Sequence, residues 1–232
     1  MKVGIMQPYF FPYIGYWQLI SVVDKYVIYD DVNYINKSWI NRNFILINGE
    51  AIRINLFLKG ASQNKKINEI EILDDKFYKD KFLKTIKNSY NKAPYFSEVF
   101  PIIQKIIYNK EKKLSLYLKY LIEEICSYLL IDTELLLSSE LNKNNQLKGQ
   151  EKILEICRVI GADTYYNAIG GQDLYSYEEF EKRNIRLRFL KSESIEYKQF
   201  NNKFIGNLSI IDIMMFNSVE KIREFLKQYH LI

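Results

Sequence analysis

Two adjacent carboxylates, Asp30 and Asp31, stand at the end of a β-rich run, with Lys37 and Arg42 following within eleven residues. A carboxylate at a strand end can take a proton from an attacking amine, hold a sugar hydroxyl or help to bind a metal. Adjacent strand residues face opposite ways, so one of the pair is expected to point into a site. A turn-forming Asp pair that satisfies local amides is the alternative. The guanidinium of Arg42 suits a phosphate or carboxylate because its fork bonds bidentately. Around it, Tyr34, Lys37, Trp39 and Asn41 make a stretch that is polar, aromatic and basic at once. Trp39, Tyr34 and Tyr9 offer faces on which a base or sugar can stack, though each would serve equally well as core. His230 is the sole histidine, and it lies at the far end of the chain. Serine–histidine and cysteine–histidine mechanisms are therefore not expected, nor is a zinc cluster. Chemistry here must rest on carboxylates, amides, tyrosines, lysine and arginine.

Positioning these groups requires the elements before and after them. Residues 2–6 read as a short buried strand, 16–23 as a short helix and 25–29 as a second strand. Between the first two lies a loop with two of the four prolines, Pro8 and Pro12. Proline fixes φ and donates nothing to a ladder, so both stop the strand and stiffen the connection. Gly15 allows a close approach that a side chain would block. Strand, helix, strand is a compact crossover, so the two strands should be parallel neighbours with their carboxyl ends side by side. Gln7 and the proline loop, with Tyr9 and Tyr16, would then face Asp30 and Asp31 across one crevice, where open α/β sheets bind ligands.

Further along, Asn48-Gly49 between 44–47 and 51–56 predicts a type I′ hairpin, and Ile67, Ile70 and Ile72 suggest another short strand. Helical spacing then covers about 76–130 in three segments, broken at Ala93-Pro94, with Ser97 placed to cap the second. Alternation resumes with a strand over 133–137 ending in Ser138-Ser139, a helix over 150–160 closed by Gly161, and a strand over 163–166. That last strand runs into Asn167 and the Gly170-Gly171 pair, which can offer amides to an anion. A half-buried strand over 185–189 and helices from 210 to 229 complete the chain. The expected fold is α/β: a mostly parallel Rossmann-like sheet, with a β-hairpin extending it and a mid-chain helical insertion, in one domain over 1–232.

With 48% hydrophobic residues the chain can bury a substantial core, yet no stretch approaches a membrane span. The first residues lack a signal-peptide plan, so a cytoplasmic location is expected. A net charge of +5 can draw in an anionic ligand such as a nucleotide-sugar. No basic block interleaved with aromatics appears, so nucleic acid is not expected as a partner except as an aminoacyl-tRNA donor. Cys126 and Cys157 fall on apolar helical positions and read as buried free thiols.

Gln7-Pro8-Tyr9-Phe10-Phe11-Pro12 with Gly15-Tyr16, Tyr29-Asp30-Asp31-Val32 with Tyr34, and Trp39-Ile40-Asn41-Arg42-Asn43 together resemble the WbqC-like family. Lys92-Ala93-Pro94-Tyr95-Phe96, Gly170-Gly171-Gln172-Asp173-Leu174-Tyr175 and Leu208-Ser209-Ile210-Ile211-Asp212 extend the resemblance nearly end to end. Many members of that family carry His before the Gln-Pro pair, where this chain has Met6. The resemblance implies a role in bacterial surface-polysaccharide (O-antigen) biosynthesis. It also implies the placing of glycine or a related acyl group on an amino-sugar. On that reading Asp30 and Asp31 are the catalytic candidates. Gln7, Tyr9, Pro12, Gly15, Tyr16, Tyr34, Lys37, Trp39, Asn41, Arg42, Ser138, Asn167, Gly170 and Gly171 are the candidate contacts to a nucleotide-linked amino-sugar. The sequence leaves the acyl donor open: ATP activation, an aminoacyl-tRNA and a carrier thioester all fit. A non-catalytic nucleotide-sugar-binding partner of an assembly complex is the competing expectation.

Overall fold

A computed structural model of the chain describes residues 1–200 and 203–232. It begins with β1 (Lys2–Met6), α1 (Ile14–Ser21) and β2 (Lys25–Ile28), followed by the hairpin β3 (Arg42–Ile47) and β4 (Glu50–Asn55). Two short strands, β5 (Leu58–Lys59) and β6 (Glu71–Ile72), lead to α2 (Lys76–Tyr90), α3 (Phe96–Ile107) and α4 (Leu114–Leu129). Then come β7 (Glu134–Leu137), α5 (Gly149–Ile160), β8 (Thr164–Ala168), α6 (Tyr177–Glu181) and β9 (Arg186–Ser192). The chain closes with α7 (Ile210–Phe216), α8 (Val219–Phe225) and β10 (Tyr229–Leu231).

Six strands form the central sheet in the order β10-β9-β8-β1-β2-β7, all parallel except β10. The first strand is therefore central, with its second and third partners on one side and the rest on the other. That is the doubly wound order, and its switch point lies between β1 and β8. Side chains alternate across the sheet. Val3, Ile5 and Val27 meet Ile153, Ile156 and Phe180 of α5 and α6 on one face. Tyr26 and Ile28 join a larger cluster built with α1, α4, α7 and α8 on the other. The apolar stripes of α2 and α3 (Leu83, Ile86, Val99, Ile103) extend that larger cluster. Cys126 and Cys157 are buried free thiols, pushed up to about 12 by desolvation, which leaves them inert. Among the described residues no helix is long and apolar enough to cross a membrane.

Several local expectations need correction. The hairpin does turn at Asn48-Gly49, with φ of 51° and 81°, but it forms a separate two-stranded sheet and does not extend the main one. β2 already has β1 and β7 on its two edges, so the hairpin cannot pair with the strand it follows. Ile67–Glu69 is a 3-10 turn, and only Glu71–Ile72 is a strand, paired with β5. Helix α1 starts at Ile14 and stops at Ser21. Ser97 lies inside α3, where Tyr95 holds the cap position. The last helix ends at Phe225, capped at its start by Ser218. Tyr229 belongs instead to a sixth strand, whose amides find partners on β9 in antiparallel register. The helical spacing of Val219, Ile222 and Leu226 runs on to Tyr229, but the free edge of β9 satisfies that backbone better.

Candidate site at the carboxyl edge of the sheet

Because β1, β2, β7 and β8 are parallel, the loops after all four leave from the same edge. The loop after β1 is the most constrained. Phe11 has φ of 45°, a left-handed value that a bulky residue rarely adopts. Side chains from three other elements hold it there. Asn43 Nδ2 donates to the carbonyls of Phe10 (3.1 Å) and Phe11 (2.6 Å), and Ser209 Oγ donates to Phe11 (2.9 Å). Trp17 Nε1 donates to the Pro12 carbonyl at 3.0 Å. The loop is thus a fixed platform, with the strain at Phe11 over-determined by its surroundings.

What this platform presents differs from residue to residue. Gly15 does permit a close approach, but by Tyr13. A Cβ at position 15 would lie 2.6 Å from the outer ring atoms of Tyr13, so that ring lies over the start of α1. Tyr16 is buried and its hydroxyl donates to the Gln7 carbonyl at 3.1 Å, which ties the loop to α1. Desolvation holds the Tyr16 hydroxyl well above the usual tyrosine range. Tyr9 packs its ring on Tyr16 at 5.5 Å and is half-buried. Tyr9, Pro12, Tyr13, Trp39, Asn43 and Asn207 line a cavity of about 280 Å³. Trp39 is 46% exposed there and meets the Phe44 ring edge-on at 6.0 Å.

The two aspartates separate cleanly. Asp31 Oδ1 accepts from Ser138 Oγ at 2.7 Å, and Oδ2 from Lys143 Nζ and Lys152 Nζ, both at 2.9 Å. Lys152 also donates to the Asp31 carbonyl at 3.0 Å and sits 5.1 Å from the centre of the Tyr29 ring. Lys143 donates to the Ser138 carbonyl as well. Desolvation works to raise Asp31, but the bonds from Lys152, Lys143 and Ser138 outweigh it, and the carboxyl lies below its usual range. Asp30 points the other way. Its carboxylate accepts Ser139 N–H at 2.9 Å and Ser139 Oγ at 2.7 Å, with no cation bonded to it among the described residues. Desolvation raises it, against the Ser139 bonds. One aspartate is locked and acidic, the other buried and more basic.

The remaining candidates are dispersed. Tyr34 donates to Asn41 Oδ1 at 2.9 Å, and Asn41 Nδ2 to the Leu56 carbonyl at 3.0 Å, so this pair fastens the segment leading into β3. Arg42 lies near the Tyr34 hydroxyl, and Lys37 is exposed with φ of 61°. Neither makes an ion pair among the described residues, and the cations that meet Asp31 are Lys143 and Lys152 instead. Asn167, the last residue but one of β8, accepts Ala168 N–H on its side-chain oxygen at 2.8 Å; a Cβ on Gly171 would lie 2.6 Å from the Asn167 amide nitrogen. Gly170 faces open space. His230, on β10, pairs with Glu193 away from all of these.

The model of the WbqC-like protein family matches residues 7–224, from the loop after β1 to the last helix. This chain belongs to that family. The uncharacterized protein Rv1507c of Mycobacterium tuberculosis is 27% identical over 230 residues, which cover 97% of each chain. No solved structure matches the chain.

The WbqC-like motifs gain physical content from the contacts. Asn43 and Ser209 are the clamps of the strained loop, and Ser209 also caps α7 by accepting from Ile211 N–H at 3.3 Å. Asp212, fully buried, accepts from Tyr90 (2.8 Å), Tyr197 (2.6 Å) and Gln199 Nε2 (2.6 Å). Burial raises that carboxyl, against those three bonds. Lys143 carries no sequence signal of its own in a lysine-rich chain. Lys152 could have been noticed one turn into α5, on the face shared with Ile153 and Ile156, where a charge would be buried.

Proposed function

We propose that this WbqC-like protein transfers glycine, or a similar small acyl group, to the amine of a nucleotide-linked amino-sugar destined for a surface polysaccharide. The observation that carries the reading is the division of labour between Asp30 and Asp31. An amino-sugar arrives protonated near neutral pH and attacks only after losing a proton. Asp30, raised by burial and with its carboxylate bonded, among the described residues, to Ser139 alone, is the better acceptor of the two. In the transfer the ammonium first gives one proton to Asp30, the freed amine nitrogen bonds to the acyl carbon, and the donor's leaving group departs with the bonding pair and takes up the nitrogen's second proton. Asp31 instead holds Lys143 and Lys152 together, placing two ammoniums against one carboxylate near the strand ends. Such a cluster favours an anionic portion of the substrate. The donor is an activated acyl group, from ATP activation, an aminoacyl-tRNA or a carrier thioester.

A second reading, a non-catalytic nucleotide-sugar-binding protein, draws support from the burial of Asp30, which is 1% exposed. Incubation of pure protein with a 4-amino-sugar nucleotide, glycine and each donor system, read by product mass, separates the two. A new amide with one donor supports transfer. Binding of the sugar nucleotide, seen as a rise in thermal stability, with no amide from any donor supports the second reading.

A further inference from the structure

We infer that the cavity between Tyr9, Tyr13, Trp39 and Asn207 receives the nucleobase of the substrate, an assignment that rests on the nucleotide-sugar reading above. A nucleotide-linked amino-sugar has three parts of different charge: a neutral flat base, an anionic diphosphate and a cationic amine. The cavity of about 280 Å³ is lined by three aromatic residues, a proline and two asparagines, with no charged side chain. A diphosphate or an ammonium there would meet no counter-ion in the lining. A base needs none, and its two faces suit aromatic walls.

The polar atoms of the lining point the same way. Asn43 is spent on the Phe10 and Phe11 carbonyls and on Phe44 N–H, so it closes the cavity without addressing a ligand. The hydroxyls of Tyr9 and Tyr13, the Trp39 indole N–H and the Asn207 amide have no hydrogen-bond partner among the described residues. An amide that both donates and accepts matches the paired donor and acceptor on the edge of a base. The diphosphate, meanwhile, is not expected at the start of α1, its usual seat in doubly wound folds. The Tyr13 ring covers that turn over Gly15. The platform is also rigid: Tyr9 and Pro12 sit on the clamped loop, so little order remains to be imposed on binding.

The two tryptophans make the test direct. Trp17 is fully buried and Trp39 is 46% exposed, so a ligand in the cavity changes the emission of Trp39 alone. Full-length protein is titrated with uridine, thymidine, adenosine and guanosine diphosphates, with inorganic pyrophosphate and a base-free amino-sugar as controls. At least one nucleoside diphosphate should quench saturably, and neither control should. Trp39→Leu should abolish the signal and weaken that nucleotide, measured by calorimetry, roughly 5- to 150-fold, the worth of one base–aromatic stack. The folding of the variant is checked by its unfolding midpoint. Quenching by the base-free sugar, or unchanged nucleotide affinity in Trp39→Leu, overturns the assignment. If the nucleotide quenches as expected but no amide ever forms, the pocket stands and the transfer reading falls. If amide forms and Trp39→Leu retains the wild-type KM, the reverse holds.

Discussion

Asp31, with its oxygens taken by Ser138, Lys143 and Lys152, behaves as the counter-ion of a buried cluster. Replacing it by Asn leaves two ammoniums enclosed without their carboxylate, which costs about 3–5 kcal/mol of stability. Its folded carboxyl lies below the ordinary value, so the stabilisation is present above the ordinary aspartate range and disappears as pH falls through the depressed value. Urea unfolding at a series of pH values should show the wild type losing its advantage over Asp31→Asn only in that acidic window. A gap that persists to the lowest pH would contradict the pairing. Gly15 and Tyr13 form a second unit at this scale. Gly15→Ala gains helix propensity but drives the Tyr13 ring off the first turn of α1. Stability should change by less than about 1 kcal/mol, while nucleotide affinity falls. In a Tyr13→Ala background the same substitution should have no further effect on affinity. Additive losses would show that Gly15 serves something other than that ring.

Among the elements, the loop after β1 is where local sequence and tertiary structure meet. Its stiffness was legible from Pro8 and Pro12. Its clamps were not, because Asn43 and Ser209 lie about 30 and 200 residues away and carry no local signal for a contact with Phe11. The strands that carry the site were readable from β-rich runs ending in polar residues, and β1–α1–β2 came out as the parallel unit its spacing implied. β10 was hidden because three residues of strand continue the helical period of α8, and only the free edge of β9 decides between them. The pairing of Asp31 with lysines from the β7–α5 region was equally unreadable, since it depends on which strand lies beside β2. Asn43→Ala tests the clamp. The Phe10 carbonyl loses its side-chain donor, and an unsatisfied buried carbonyl costs about 1–3 kcal/mol. The urea midpoint should fall with the slope unchanged. A variant as stable as the wild type would mean that the loop needs no clamp.

Over the whole molecule, charge is unevenly spread. Residues 58–120 hold fourteen lysines against seven acidic residues, although the net charge of the chain is only +5, so the rest is slightly acidic. The exposed Lys81 and Lys84 of α2 have no ion pair among the described residues. A positive flank on one side of the sheet raises the local concentration of an anionic substrate without touching it. Association of a nucleotide-sugar, followed by stopped flow on Trp39, should slow as salt rises. The Lys81→Glu, Lys84→Glu double variant should flatten that dependence and leave the rate of the bound complex unchanged. A salt dependence identical to the wild type would remove the insertion from substrate capture.

The central claim is that a carboxylate at the end of β2 accepts the proton of the attacking amine, and the single-turnover rate of amide formation by Asp30→Asn tests it most directly. The substitution keeps size and removes basicity. The rate should fall by about 10²–10⁴, the usual contribution of a general base, with nucleotide-sugar affinity nearly unchanged. In the wild type the rate should rise with pH through a value above the ordinary aspartate range, because the acceptor must be ionised and burial raises it. An Asp30→Asn enzyme that forms the amide at the wild-type rate, with the same pH profile, would contradict the account.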